Sequence, residues 1–411
     1  MNRMSEINGI FCLTVVGLSL SFARAATLAE PLTEAELLTR VKGLPAEREQ
    51  PRGVLHGNPD YCVYVPDQTR YGDVSDPKRV GTSYNDHFQV IYDEGRKLFY
   101  AFWTQASWEG AGDHHICFAK SSDGGRTWTP PTILAGSERR SCKRFDATWQ
   151  QPMLTTTGRL YCLWNTPLDS WFGDYGLYGF YSDDGGETWS TPRRVLKGLP
   201  AGFPKCWINW QRPIRLGLGG KFVSPSSYCD YVEYWQYENI DENPEIEDIK
   251  ISIFAQCGNS LHGQRMAEKD VWLPKGAERA SIEEGSVVRL PDGRLFMLCR
   301  STTGHPLWSQ SRDGGKTWSE TRFLRDPDGK PYSHPCSPCP IYDWKGCEAG
   351  SGVYFTFIHD TFDFSNKETA SQKRGALYLM PGRFDPTGDQ PIRFGKPKLF
   401  LPEWEIGGNS L

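Results

Sequence analysis

The sequence predicts an all-β protein, a six-bladed β-propeller of four-stranded antiparallel blades, with five or seven blades as alternatives. Three observations predict it. Ser121-Ser-Asp-Gly-Gly-Arg-Thr-Trp128, Ser182-Asp-Asp-Gly-Gly-Glu-Thr-Trp189 and Ser311-Arg-Asp-Gly-Gly-Lys-Thr-Trp318 are copies of one pattern. They begin 61 residues apart (182 − 121) and then 129 apart (311 − 182), close to one and two periods of about 60. Hairpins that alternate apolar and polar residues around a short turn recur at 88–103, 151–164, 212–227, 286–300 and 338–358. Such a period is too long for helical solenoid repeats and suits a four-stranded blade.

Taken from the N-terminus, Arg3, the apolar run Ile10 to Phe22 and Ala23-Arg24-Ala25 read as a secretory signal over residues 1–25, cut after Ala25. The run is too short to span a bilayer as a helix, so a secreted or periplasmic protein without stable membrane insertion is expected. Residues 26–50 form an N-terminal segment whose only helical spacing covers 32–42, and 51–411 read as the propeller. In the repeated turn the Asp accepts turn N–H groups, the glycines take φ > 0 and the Trp packs between neighbouring sheets. Strand-like segments near 250–260 and 376–396 lack the motif and read as degenerate blades. Strands near 53–66 pairing with Leu399 to Trp404 would close a sixth blade and remove exposed edges. The acidic stretch Glu238 to Asp248 reads as a solvated loop.

Composition narrows the function classes. Forty-six Lys and Arg against 50 Asp and Glu, without basic runs, exclude a nucleic-acid partner. Fifteen Trp, 18 Tyr and 21 Phe suit blades packing on one another and sugars stacking on rings. Of 12 cysteines, 11 remain after signal removal (12 − 1), so at least one thiol of a monomer is unpaired. Cys336-Ser-Pro-Cys339 has redox or half-zinc spacing, but no second pair accompanies it, and buried or disulfide-bonded cysteines are the reading. No metal or cofactor is expected, and oligomeric state is left open.

In a blade the start of strand one and the end of strand two share one end, whereas the turn between strands three and four lies at the other. The first end collects Tyr84-Asn-Asp-His87 with Trp103, Trp149-Gln-Gln151 with Trp164-Asn165, Asn209-Trp-Gln-Arg212 with Tyr228, Glu283-Glu284 with Arg300, and Ser333-His334 with His359-Asp360. Polar and aromatic residues recurring at five stations suit a cleft for a polar sugar. Asp113-His114-His115 reads as loop structure, with a metal site as the alternative.

The repeated turn resembles the Asp box, or BNR repeat, of the sialidase (neuraminidase) superfamily. The run from Glu284 to Arg300 resembles the sialidase segment in which a Glu opens a strand and an Arg closes its partner. That resemblance implies that Glu284 tunes a nucleophilic Tyr and that Arg300 holds the substrate carboxylate, a task its fork suits. An ordinary cross-strand ion pair is the alternative. Tyr332-Ser333 resembles the Tyr-Ser opening the nucleophile strand, which makes Tyr332 a catalytic candidate; a packed loop tyrosine is the other reading. Tyr84-Asn-Asp-His87 resembles the first-blade start of propellers acting on uronic-acid glycans, with His87 as proton acceptor, whereas the sialidase resemblance implies Asp86 as general acid. Arg212, Gln151, Asn165, Trp103 and Tyr228 complete the substrate-binding candidates. No Arg-Ile-Pro precedes the first box, so the first arginine of the family triad is missing or replaced. The leading expectation is a secreted exo-sialidase-like glycosidase acting on an acidic glycan. A uronate-directed, rhamnosidase-like glycosidase or polysaccharide lyase is one alternative, and a non-catalytic glycan- or protein-binding propeller is another.

Overall fold

The computed structural model describes residues 63–64, 84–107, 109, 111–136, 146–167, 175–195, 209–216, 220–228, 231–255, 267–268, 270–347, 349–372 and 374–401. The expected signal and the helix at 32–42 lie outside them. Among the described residues the chain forms five antiparallel sheets. The first contains β1 (Tyr84–Asp93), β2 (Leu98–Ala106), β3 (His115–Ser121) and β4 (Thr132–Gly136). The second contains β5 (Thr148–Leu154), β6 (Leu160–Pro167), β7 (Tyr175–Ser182) and β8 (Arg193–Arg194). β9 (Ile214–Arg215), β10 (Phe222–Tyr228), β11 (Tyr231–Tyr237) and β12 (Ile251–Ala255) make the third, and β13 (Ile282–Arg289), β14 (Leu295–Ser301), β15 (Leu307–Ser311) and β16 (Arg322–Phe323) the fourth. The fifth contains β17 (Ile341–Asp343), β18 (Val353–Ile358), β19 (Leu377–Phe384), β20 (Ile392–Phe394) and β21 (Lys398–Leu401). Each is an up-and-down meander in sequence order, the topology of a propeller blade. Contacts divide the chain into two compact units, Pro59–Ser224 with Trp235–Ile253, and Pro225–Tyr234 with the residues from Phe254 onward.

The described residues form five blades, the count given as an alternative to six, and the C-terminal strands show why. β19 is long enough for β20 to pair with its end and β21 with its start, so 398–401 extend the outer edge of the fifth blade. The partner strand expected near 53–66 falls almost wholly outside the described residues. The acidic stretch also departs from the solvated-loop reading. It forms two 3-10 turns, Ile240–Glu242 and Ile246–Asp248, that bury Ile240 and Ile246. Tyr161 donates to the Pro244 carbonyl at 2.6 Å, and Arg215 ion-pairs with Asp241. Two isoleucines six residues apart anchor what its charge suggested was free.

The three repeated turns join strands three and four of their blades, between β3 and β4, β7 and β8, and β15 and β16. In the first, Asp123 Oδ1 accepts from Ser121 Oγ (2.8 Å) and Thr127 N (2.9 Å), while Oδ2 accepts from Thr127 Oγ1 (2.6 Å). Asp184 and Asp313 repeat the network with Thr188 and Thr317. Gly315 must be glycine twice over, because its φ is 95° and a Cβ there would lie 2.1 Å from the Tyr234 ring. The tryptophans staple blades: Trp189 packs edge-on against Phe118 of the preceding sheet (5.4 Å), and Trp318 against Tyr234 (5.4 Å). Ser311 pairs with Leu295, five residues before Arg300 along β14, so the box lies about 17 Å from the Arg300 end.

Hydrogen bonds from Thr127, outweighing the small opposing effect of burial, hold the Asp123 carboxyl at about 2. Its stabilisation is therefore present above the ordinary carboxylate value and lost as pH falls through about 2. Asp123→Ala should cost about 1–3 kcal/mol in chemical unfolding at neutral pH. The difference from wild type should shrink as unfolding is repeated toward pH 2; a constant difference would exclude the ionised carboxylate as its source.

Candidate functional site

Three blades carry the same irregularity near the start of the inner strand. In β1, Asp86 pairs with Thr104 and Gln89 with Phe102, leaving His87 and Phe88 opposite Trp103. In β5, Thr148 pairs with Asn165 and Gln151 with Leu163; in β13, Glu283 pairs with Arg300 and Ser286 with Leu298. Each is a two-against-one β-bulge, a device that bends a strand and re-aims its side chains. The first bulged residue is left-handed in every case: His87 (φ 52°), Trp149 (φ 52°) and Glu284 (φ 42°). Such conformations cost about 1–3 kcal/mol for a non-glycine residue and cluster at functional sites. In the second and fourth blades a hydroxyl near the end of the preceding blade's second strand satisfies the bulged N–H, whereas in the first His87 N donates to Asp86. Thr104 Oγ1 accepts from Trp149 N (3.3 Å), and Ser227 Oγ accepts from Glu284 N.

At the fourth blade the bulge assembles a charged cluster. Arg300 Nη1 donates to Glu284 Oε2 at 2.9 Å, and Glu283 Oε2 lies 3.8 Å from Nε. Glu283 is the direct cross-strand partner of Arg300, and Glu284 reaches it through the bulge. Arg300 Nε also donates to Cys336 Sγ at 3.1 Å. Burial opposes the charge on Arg300, but Glu284, then Cys336 and Glu283, outweigh it and hold the guanidinium protonated. Its side chain is 19% exposed, so it meets solvent while remaining anchored. The cluster presents a fixed cation suited to a carboxylate.

At the first blade, Tyr84 donates to Asp86 Oδ2 at 2.6 Å, His87 Nδ1 lies 2.9 Å from the same oxygen, and His87 N donates to Oδ1 at 2.7 Å. Burial would push the Asp86 carboxyl up. The His87 ring and hydrogen bonds from His87 and Tyr84 more than offset that and hold it below the ordinary range. Asp86 is then an ionised acceptor set against the His87 ring. Trp149 packs edge-on against His87 at 6.1 Å.

Other expected site residues are engaged elsewhere. Trp103 is fully buried among Ala101, Cys117 and Ala119, stacked with Phe88 and Tyr64. Gln151, also fully buried, donates to Asn209 Oδ1 at 3.1 Å and accepts from Tyr237. Asn165 is buried opposite Thr148. Tyr332 donates to the Phe394 and Gly395 carbonyls, both at 3.0 Å, and burial pushes its phenol up, which disfavours a nucleophilic phenolate. Arg212 is half-buried, with a 3.4 Å bond to the Pro213 carbonyl. Tyr228 ends β10, its side chain outside the described set. Asp113 takes Ser107 N and Oγ (3.0 and 2.5 Å), and His115 meets the Asp113 carbonyl, which makes this segment a hydrogen-bonded loop. His334 accepts from His359 N (3.1 Å) and donates to the Ser337 carbonyl (2.9 Å), so burial, which pushes its pKa to about 3, fixes a neutral ring bonded at both nitrogens. The six described cysteines are all buried. The sequence put Tyr84 and Glu283 at the site end without a role for either, and it gave no sign that Cys336 meets Arg300. Tyr84 and Glu283 were legible as neighbours of Asp86 and Glu284.

The BNR repeat-like domain family matches residues 97–333, more than half of the chain. A protein named sialidase from Paraclostridium sordellii is 33% identical over 239 residues, covering 51% of this chain and 52% of that protein. The chain thus spans about half the length of this curated relative. Among solved structures, the NanB sialidase from Streptococcus pneumoniae aligns with a TM-score of 0.55 at 12% identity, covering 82% of this chain and 66% of that one. A leech intramolecular trans-sialidase aligns with a TM-score of 0.50 at 12% identity over 79% of this chain and 62% of its own. At such identities the likeness is one of fold.

Tyr332→Phe should lower stability by about 1 kcal/mol, the worth of its hydroxyl's bonds to two carbonyls. Turnover of any substrate the protein accepts should match wild type. Loss of turnover with an unchanged unfolding midpoint would place the hydroxyl in the chemistry instead.

Proposed function

Since the chain belongs to the BNR repeat-like domain family, we propose that it is a glycoside hydrolase of the exo-sialidase type, with Arg300 holding the carboxylate of a sialylated glycan. The anchored, partly exposed guanidinium of Arg300 beside Glu284 carries this reading. The name of the Paraclostridium sordellii relative supports it. A guanidinium oriented before the ligand arrives binds a carboxylate with little reorganisation, and charge-assisted bonds are about twice as strong as neutral ones. Glu284 keeps the fork in place and balances its charge in the free protein.

The His87 and Asp86 pair takes the proton-transfer role. Ionised Asp86, 2.9 Å from the His87 ring, orients that ring as the first blade's own group for moving a proton at a glycosidic oxygen. Export through the N-terminal signal would put the enzyme where extracellular glycans are found. Elimination beside a uronate is a second reading, favoured by the meeting of Tyr84 and His87 on one oxygen of Asp86.

On a fluorogenic sialoside, Arg300→Ala should raise KM by roughly tenfold or more, since each lost charge-assisted bond is worth about 1.5–3 kcal/mol. His87→Ala should lower kcat with KM less affected. Variants indistinguishable from wild type would remove both assignments. An unsaturated, ultraviolet-absorbing product from an acidic polysaccharide, without sialoside cleavage, would establish the second reading.

A further inference from the structure

Cys336 belongs to the Cys336-Ser-Pro-Cys339 run, which the proposed reaction does not use, yet its sulfur sits against the guanidinium of Arg300. We propose that Cys336 is a positioning residue for Arg300, an uncharged acceptor that fixes the guanidinium for an incoming carboxylate without placing another negative charge beside it. The proposal rests on the reading of Arg300 as the carboxylate-binding group.

Two different nitrogens of the planar group are anchored, Nη1 to Glu284 Oε2 at 2.9 Å and Nε to Cys336 Sγ at 3.1 Å. One anchor leaves the group free to swing about it, whereas two fix both its rotation and its tilt. Of the five N–H groups of an arginine, three then remain, all on Nη1 and Nη2, the nitrogens of the end-on fork. The sulfur contact is close by this protein's own standard. Cys117 meets Gln105 at 3.6 Å, and Cys162 and Cys347 meet carbonyls at 3.9 Å. Cys336 is only 3% exposed, so water is poorly placed to take over as acceptor.

Its loop is held rigidly. Cys336 N donates to the Ala370 carbonyl at 2.8 Å, and the next residue accepts from His334 at 2.9 Å. The choice of a thiol follows from charge. Glu284 and Glu283 already face one guanidinium, and a third carboxylate would engage the cation and repel the substrate's own. Burial pushes the Cys336 thiol up against the pull of Arg300, which keeps it neutral. Sulfur supplies direction without competing charge.

The test compares Cys336→Ala, Cys336→Ser and Cys336→Asp with Arg300→Ala, reading unfolding midpoint, KM and kcat on a fluorogenic sialoside, and NMR-detected binding of free N-acetylneuraminate. Cys336→Ala should weaken binding and raise KM roughly tenfold with kcat changed less, Cys336→Ser should recover most of the loss, and Cys336→Asp should be worse than either. If Cys336→Ala fails to fold, the Ser and Asp pair decides. Wild-type binding by Cys336→Ala, or equal binding by the Asp and Ser variants, overturns the proposal while Arg300→Ala still abolishes binding. If Arg300→Ala binds like wild type, the proposal and the reading of Arg300 fall together.

Discussion

The β-bulge near the start of the inner strand is the constraint on which the candidate site depends. Without the extra residue, Glu284 would continue the alternation of β13 and could not share Arg300 with Glu283. The bulge holds a non-glycine residue at positive φ, a conformation that persists only where its surroundings over-determine it. Here they do so with one hydroxyl. Thr104 for Trp149 and Ser227 for Glu284 accept the bulged N–H, which would otherwise be a buried donor without a partner. Gly285, the second bulged residue, completes the fit in the fourth blade, because a Cβ there would lie 2.8 Å from Met297 Sδ. Strain at the functional end is thus supported by the adjoining strand.

The opposite end of the three blades that carry the repeated turn has a different task. There the Asp-box carboxylates draw in hydroxyl and backbone donors, and the box tryptophans fill the seams, Trp189 between Phe118 and Phe180 and Trp318 against Tyr234. These contacts order the blades without using any residue of the bulged end. Residues there are consequently free to vary in chemistry, from the Tyr84, Asp86 and His87 group of the first blade to the Arg300 cluster of the fourth.

Much of this was legible in the sequence, and the rest was hidden for identifiable reasons. The turns at Ser121, Ser182 and Ser311 and the hairpins between them are local patterns, so spacing alone located the blades. Glu284 and Arg300 were visible as a pair because a hairpin brings its ends together. A bulge adds one residue that no periodicity announces, and it changes which side chains reach the site. That is why Gln151, read as facing a ligand, is buried against Asn209 and Tyr237, and why Glu283 holds the direct partnership with Arg300. Cys336 was read as a buried or disulfide-bonded cysteine, and buried it is, but its partner was hidden. Its spacing to Cys339 carries no information about Arg300, its neighbour in space 36 residues away. Blade number was obscured because Lys398–Leu401 looks the same in sequence whether it extends an existing blade or closes a new one.

The central claim is that the guanidinium fixed by Glu284 and Cys336 receives the substrate's carboxylate. A crystal structure of the protein with N-acetylneuraminate bound tests it most directly. The account predicts carboxylate oxygens about 2.7–2.9 Å from the Nη atoms of Arg300, with the bonds to Glu284 and Cys336 kept. A sugar bound at full occupancy with its carboxylate held by other residues, and Arg300 still paired only with Glu284, would contradict it.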